Sequence, residues 1–596
     1  MQFRSSFTIL AVGVIAVTAA SFMGGYAQFV IGSVAFFSIS VLSVSMLAGL
    51  TGIWSLGHMA FVAFGAYLAS QMALYGWPVE AMVPAAMVGA GLVGFVLGLS
   101  AGRFSVLYFG LLTMALALAA SEVIGHWREV TGGDEGIAVM PAPSLILGRT
   151  ISLDEGVLLA IILATLAFLM TDVVARGQIG RRWLAIKSQR IAATSIGLHP
   201  ARENALAFGF SAAIASLSGI AVAFTISYLD PVGFDLNSGV QLIVATVVGG
   251  AGSLAGALLG AAFIVVVPEM ARSVPAVSEF IFGLTTVFTL LFLRRGIVPT
   301  LTDWVRRQLA LKGGRNTPNK EAPLDAATVT AAVAQLMPPA KDTLSVEGLV
   351  VQFGGVKALQ GVGLTLRPGQ TVGLIGPNGA GKTTFLNVLS GFYEATSAER
   401  VQLGHTDLRK LSPSDRINVG FGRTFQHAEM FEDLTLRETF EVAAARGAAR
   451  RKAQGLPGRT PAEVAQTIIR GLNLGAVADI KPGELPFGVL KVADIGRALA
   501  TGASVVALDE PFAGLDARER TAIRTIFQGM HDAGVSVVLI DHAVNEVMGL
   551  SDHAVVFEFG QLLAQGLPDE IRNHPEVLRA YFGEEAMTTG ESGGAA

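Results

Sequence analysis

Apolar and polar positions divide this chain near residue 300. Before that point, apolar runs of bilayer length follow one another, separated by short polar turns. A helix needs about 20 predominantly apolar residues to cross a hydrocarbon core. The runs 8–27, 29–49, 56–76, 80–99, 106–124, 157–174 and 205–226 have about that length. A longer run, 239–267, and a last one, 278–293, follow. From residue 343 short, wholly apolar runs alternate with amphipathic ones, the pattern of an α/β domain. The predicted fold class is therefore multi-domain. An α-helical polytopic transmembrane domain covers 1–303, a linker 304–342, an α/β domain 343–585 and a disordered tail 586–596.

Positive charge orients the spans. Arg4 places the N-terminus inside, and Arg103 and the loop 175–204 then fall inside too. That loop carries Arg176, Arg181, Arg182, Lys187, Arg190 and Arg202, whereas 26–29, 77–79 and 227–238 carry no Lys or Arg. The first run is followed at once by a second and reads as an uncleaved span rather than a secretion signal. Arg294 and Arg295 mark an inside flank, so a single crossing at 239–267 would put the following domain on the wrong side. The glycine-rich "VVGGAGSLAGALLGA" (247–261) therefore predicts a broken or re-entrant element, or a close helix contact through small residues. Membrane carboxylates for an ion relay are scarce, which puts the energy source elsewhere in the chain.

Composition sharpens this. The chain has 596 residues, 52% hydrophobic, 15% charged, with mean hydropathy +0.56, the average of an apolar and a soluble part. A net charge of −4 points to no nucleic-acid partner. The absence of cysteine excludes disulfides, thiolate catalysis and cysteine metal sites, and the nine histidines show no metal-ligand spacing. The stretch 304–342, rich in Gly, Pro, Asn and Ala, reads as a tether with a short helix at 325–336.

Chemistry enters at "GPNGAGKTT" (376–384). A buried strand, "QTVGLIG", precedes it and a helix follows. Gly376, Asn378, Gly379 and Gly381 let backbone N–H groups face phosphate at a helix start. Lys382 is placed to reach the β- and γ-phosphates, Thr383 to bind Mg²⁺ and Thr384 to add a phosphate contact. The strand "SVVALDEP" then delivers Asp509 for the metal and Glu510 as the base that orients water. Together these predict an ATP- and Mg²⁺-dependent hydrolase.

The arrangement resembles the ATP-binding cassette of ABC transporters. The resemblance implies that Phe353 stacks on adenine, and that Gln426 in "RTFQ" is the glutamine loop, contacting metal, water and permease. It also implies that "GLD" ending at Asp516 is the D-loop and that His542 is the switch histidine. The family signature L-S-G-G-Q reads "LPFGV" here, keeping Leu485 and Gly488. Pro486 has neither hydroxyl nor N–H to offer a partner's phosphate.

The first half narrows the resemblance. "LTGIWSLGHMAFVAFGAYLA", "VTGGDEGI" and "VVGGAGSLAGALLGA" are similar to segments of bacterial branched-chain amino acid permeases. "IAATSIGLHPARENALAF" is similar to their coupling loop, with Ala192, Ala193 and Gly197 in the motif. The chain resembles a LivM-type permease fused to a LivG-type ATP-binding subunit of the branched-chain amino acid uptake family. This implies import of such amino acids or related small solutes across the bacterial inner membrane, with the ATPase domain cytoplasmic. It also implies a second, non-identical permease and ATPase and an extracytoplasmic binding protein. An exporter half-transporter is the alternative, and a regulatory or structural membrane ATPase a third. His58 reads as a packing residue or a solute contact, and "TGGDEG" as a tight turn or a docking loop.

Overall fold

The computed structural model describes residues 2–101, 106–151, 155–270, 296–312, 324–337, 339–453 and 458–582, with a few residues between 280 and 292. Arg103, Arg294, Arg295 and the tail 586–596 lie outside the described residues, as does most of the run 278–293. The chain forms two compact units, Met1–Trp183 with Pro200–Arg315, and Leu184–His199 with Asn316–Ala596.

The first unit is helical: α1 (Gln2–Phe22), α2 (Gly25–Thr51), α3 (His58–Leu74), α4 (Val79–Ser100), α5 (Val106–His126) and α6 (Gly156–Arg176). After the segment containing α7 (Gln178–Ser188) and α8 (Arg190–Ser195) come α9 (Pro200–Ile226), α10 (Leu236–Gly249), α11 (Leu254–Met270) and α12 (Ile297–Lys312). Five helices among the described residues are long and apolar enough to cross a membrane: Gly25–Thr51, Val79–Ser100, Tyr108–His126, Gly156–Arg176 and Pro200–Ile226.

Helix α9 is the core of this unit, packing against α2, α3, α4 and α6. Small residues allow the approach. A Cβ at Gly65 would strike the carbonyl of Ser216, and one at Gly219 that of Val62. Serines tie the same helices. Ser40 Oγ donates to Ser218 Oγ at 2.7 Å, and Ser211 Oγ donates to Ser43 O at 2.8 Å. His58 is buried in this interface, with Nε2 2.7 Å from Ser211 Oγ and its ring edge-on to Phe61 and Phe208.

The run 239–267 is folded as two antiparallel helices. Gly250 (φ 104°) and Gly252 (φ 80°) make the turn, and Gly252 N–H is held by Ser45 O at 3.0 Å. Gly249 faces Gly256, and Gly260 faces Ala245, so the two helices nearly touch at their backbones. Among the described residues the two helices run for 14 and 17 residues. The "TGGDEG" segment is a tight turn with positive φ at Gly132, Gly133 and Gly136, and Asp134 and Glu135 are exposed.

The boundary expected at residue 303 falls inside α12, whose helical pattern continues to Lys312. The stretch read as a tether contains α13 (Ala326–Leu336), which starts at an Asp325 cap and buries Val329, Val333 and Leu336 in the second unit's core. The short helix expected at 325–336 is thus present, and its apolar face packs on that core.

The second unit carries two sheets. One is antiparallel: β1 (Leu344–Phe353), β2 (Val356–Leu366), β4 (Arg400–Leu403) and β5 (Thr406–Asp407), in spatial order β2-β1-β4-β5. The other contains β3 (Thr371–Ile375), β6 (Phe421–Arg423), β7 (Val505–Asp509), β8 (Ser536–Ile540), β9 (His553–Glu558) and β10 (Gln561–Gly566). Its order is β6-β7-β8-β3-β9-β10, parallel except for the last pair. Strands β3, β7 and β8 are buried throughout, as the apolar runs require of a sheet covered on both faces. Its helices include α14 (Lys382–Ser390), α15 (Leu436–Ala453), α16 (Pro461–Gly471), α17 (Phe487–Ala500) and α18 (Ala517–Asp532).

Residues 184–199 belong to this second unit. Ala185, Ala192, Ala193, Ile196 and Leu198 are buried in one core with Ile417, Phe425 and Met430. Ser414 Oγ donates to Leu198 O at 2.6 Å, Lys187 Nζ lies 3.3 Å from Asp433, and His199 Nε2 lies 3.2 Å from Asp415. Gly197 has φ +92°, and a Cβ there would sit 2.7 Å from Ile417 Cγ2.

Candidate nucleotide site

The site lies at the C-terminal ends of parallel strands, where an open α/β sheet places its ligands. Strand β3 ends at Ile375 and the chain turns through 376–381 into α14, which begins at Lys382. Gly379 (φ +83°) and Gly381 (φ +97°) adopt the left-handed backbone that residues with a Cβ avoid. Gly381 is the N-cap of α14, so that helix start opens on the loop.

A cavity of about 600 Å³ is lined by Asn378, Gly379, Gly381, Lys382, Thr383 and Thr384 from this turn. Gln426, Glu510 and His542 line it from three other loops, and Val356 and Phe559 close one side. Gly376 forms the base of the loop. Its carbonyl accepts from Lys382 Nζ at 2.6 Å, and Pro377 O does so at 3.0 Å. Burial pushes the Lys382 pKa below its ordinary value, against the pull of Glu510 and Asp509.

Glu510 follows β7 with a left-handed backbone (φ 49°), and its N–H donates to Ile540 O at 2.7 Å. Gln426 Nε2 donates to one of its carboxylate oxygens at 2.9 Å, and His542 Nε2 is 2.9 Å from the other. Asp509 is buried beside it. Its Oδ2 accepts from Arg423 at 3.0 Å, and its Oδ1 has no hydrogen-bond partner. Burial raises the Asp509 pKa, with Arg423 opposing, and burial lowers that of Arg423.

Other expected site residues stand apart from the cavity. Phe353, at the end of β1, is 47% exposed and packs edge-on against Tyr393. Pro486 is the N-cap of α17 and makes no side-chain cap. Leu485 packs on the core, and Gly488 lies against Glu519. Asp516 caps α18, forming a capping box with Glu519.

Sequence reasoning passed over Arg423, Lys491, Asp494 and Arg497, which are buried around the site. A signal existed: charges inside apolar runs, in a strand for Arg423 and at three-residue intervals in α17 for the others. As a whole the arrangement offers a cationic, N–H-rich cradle at one end and a carboxylate held by two loops at the other. That is a donor set for a polyphosphate and a base for water.

Known proteins match in the same places. Residues 26–290 match the family described as branched-chain amino acid transport system / permease component. Residues 359–513 match the ABC transporter family, and 561–587 the family described as branched-chain amino acid ATP-binding cassette transporter. The high-affinity branched-chain amino acid transport ATP-binding protein BraF of Pseudomonas aeruginosa is 36% identical over 251 residues, 40% of this chain and 98% of that one. LivG of Escherichia coli, a protein of the same description, is equally similar, at 36% over 251 residues with the same coverage. A crystal structure of a nucleotide-free ATP-binding cassette from an ABC transporter is 30% identical, covering 41% of this chain and 100% of that one, with a TM-score of 0.35. The chain therefore belongs to the branched-chain amino acid ABC transporter family, carrying a membrane permease domain and an ATP-hydrolysing cassette in one polypeptide.

Proposed function

We propose that this chain is one half of an importer of branched-chain amino acids or closely related small solutes. It sits in the bacterial inner membrane with its cassette in the cytoplasm. A second, non-identical permease and ATPase complete the complex, and an extracytoplasmic binding protein delivers the solute. The observation that carries this reading is the convergence of Lys382, Gln426, Glu510 and His542 on one cavity, in a unit whose core includes residues 184–199 of the membrane half's polar loop.

In this reading the N–H groups of 378–384 and Lys382 bind the ATP phosphates. Thr383, Asp509 and Gln426 would hold Mg²⁺, and the unpartnered, buried Asp509 Oδ1 fits a cation ligand. The metal would neutralise charge on the phosphate oxygens when bound. Glu510 orients and deprotonates the attacking water, and His542 and Gln426 fix its carboxylate. The family resemblance gives Phe353 the adenine contact, although it is not among the residues that line the cavity. Leu485, Gly488 and Asp516 face the second cassette. Closure of the two cassettes pulls on the coupling segment at Ala192, Ala193 and Gly197, and the permeases change access.

Uptake of labelled leucine into proteoliposomes tests this, with the partner subunits and the binding protein present. ATP-dependent accumulation is expected, and Glu510→Gln should abolish it. ATP-driven efflux would support the exporter alternative, and accumulation indifferent to Glu510→Gln would end the proposal.

A further inference from the structure

Helix α17 carries Lys491, Asp494 and Arg497 in a largely apolar sequence. Steps of three residues keep them on one side of a helix. All are nearly fully buried, at 3%, 1% and 0% exposure. Buried charge is costly unless it is hydrogen-bonded, and apolar side chains of similar size would hold a helix at least as firmly. Packing therefore does not account for these residues, whereas their partners do.

Lys491 Nζ donates to Gln426 O at 2.5 Å and to Glu510 O at 2.9 Å. Asp494 Oδ2 accepts from the Phe425 N–H at 3.0 Å. The Arg497 guanidinium bonds Asp494 Oδ1 at 2.6 Å and Arg423 O at 3.2 Å, and lies 5.5 Å over the Phe425 ring. Its remaining end donates to Ser195 Oγ at 3.0 Å. Ser195 Oγ donates in turn to Ala192 O at 2.8 Å. One helix face thus grips residues 423, 425 and 426 in succession. One end of the stripe holds the left-handed backbone of Glu510, and the other end holds the segment 190–195.

We infer that the stripe Lys491–Asp494–Arg497 is the element through which the coupling segment sets the positions of Gln426 and Glu510. Lys491 and Arg497 are then positioning residues: they touch main chain, the Ser195 hydroxyl, the Asp494 carboxylate and the Phe425 ring rather than the reacting atoms. A displacement of Ser195 moves Arg497, and the rigid helix carries that movement to Lys491 and the carbonyl of Glu510. Pro486 is the N-cap of the same helix, so the helix also carries the segment assigned to the second cassette. This inference rests on the roles proposed above for Gln426 and Glu510.

The test uses the full complex, purified through a tag on this chain and reconstituted in nanodiscs. Ser195→Ala removes one hydroxyl in a helix that tolerates alanine. Hydrogen exchange by mass spectrometry should rise about fivefold in peptides spanning 421–428 and stay unchanged over 382–390. A hydroxyl with a merely local role would confine the change to 190–199, and that outcome overturns the inference. Lys491→Met keeps the side-chain volume. It should lower kcat for ATP about tenfold with KM within about twofold, because the phosphate loop is untouched. An unchanged kcat also overturns it. Glu510→Gln in the same preparation separates the two proposals. If that variant hydrolyses ATP normally, the role given to Glu510 fails, while spread of exchange from Ser195 to 421–428 would still establish the mechanical link.

Discussion

His542 Nε2 lies 2.9 Å from Glu510 Oε1, on the opposite side of the carboxylate from Gln426. The carboxylate is thereby fixed through both oxygens by loops that follow different strands. A base held this way can meet water without first being reordered. His542→Ala should lower kcat for ATP about 100-fold, with the Kd for ATP within about threefold. Single-turnover hydrolysis alongside equilibrium nucleotide binding measures both.

The buried Arg423–Asp509 pair separates stability from activity. Burial opposes the charged form of both partners. Arg423→Met leaves Asp509 as an unpaired buried charge and should destabilise the cassette by about 3–5 kcal/mol. Replacing both by apolar residues should restore the thermal midpoint while leaving the protein inactive. Thermal unfolding of the reconstituted chain gives the first result and an ATPase assay the second.

Pro486 occupies a helix N-cap without a capping side chain. Pro486→Ser supplies a hydroxyl acceptor at that position and should stabilise the start of α17 by about 1 kcal/mol. If the segment faces the second cassette's nucleotide, the same hydroxyl should raise steady-state ATPase activity of the complex. A higher midpoint with unchanged hydrolysis would show that Gly488 and the helix start suffice there.

Gly197 is in the left-handed region with Ile417 against it. Gly197→Val meets both obstacles, a backbone strain of about 1–3 kcal/mol and a steric clash. Solute uptake should fall at least tenfold, while ATP binding at the distant phosphate loop persists. Vesicle uptake and nucleotide binding on one preparation distinguish this from global unfolding.

Glu546 is held below its ordinary pKa, chiefly by its hydrogen bond from Arg524. A carboxylate with a depressed folded-state pKa contributes stability above its unfolded pKa and loses it as pH falls through the folded one. The midpoint difference between the native chain and Glu546→Gln should therefore be positive at neutral pH. It should shrink as the pH falls below about 4.5. Thermal scans of both proteins across pH 7 to 3.5 follow it.

Much of the architecture is legible in consecutive residues. Apolar runs of bilayer length become helices because the side chains leave no other way to satisfy backbone groups in lipid. Gly379 and Gly381 announce a phosphate loop because the required φ values exclude most other residues. Asp509 and Glu510 are readable as the end of a buried strand. Less legible were the docking of α13, whose apolar face is too short to name its partner, and the membership of 184–199 in the cassette's unit.

Local chemistry of this kind was determined by sequence alone, since spacing along one helix, strand or turn dictates which groups share a face. Only the tertiary structure decided what the buried charges do. Lys491 meets Gln426 across 65 residues, Arg423 meets Asp509 across 86, and Arg497 meets Ser195 across 302. No local periodicity encodes such pairings. They arise because a charge removed from water must find a hydrogen-bond partner, and packing alone determines which one is within reach.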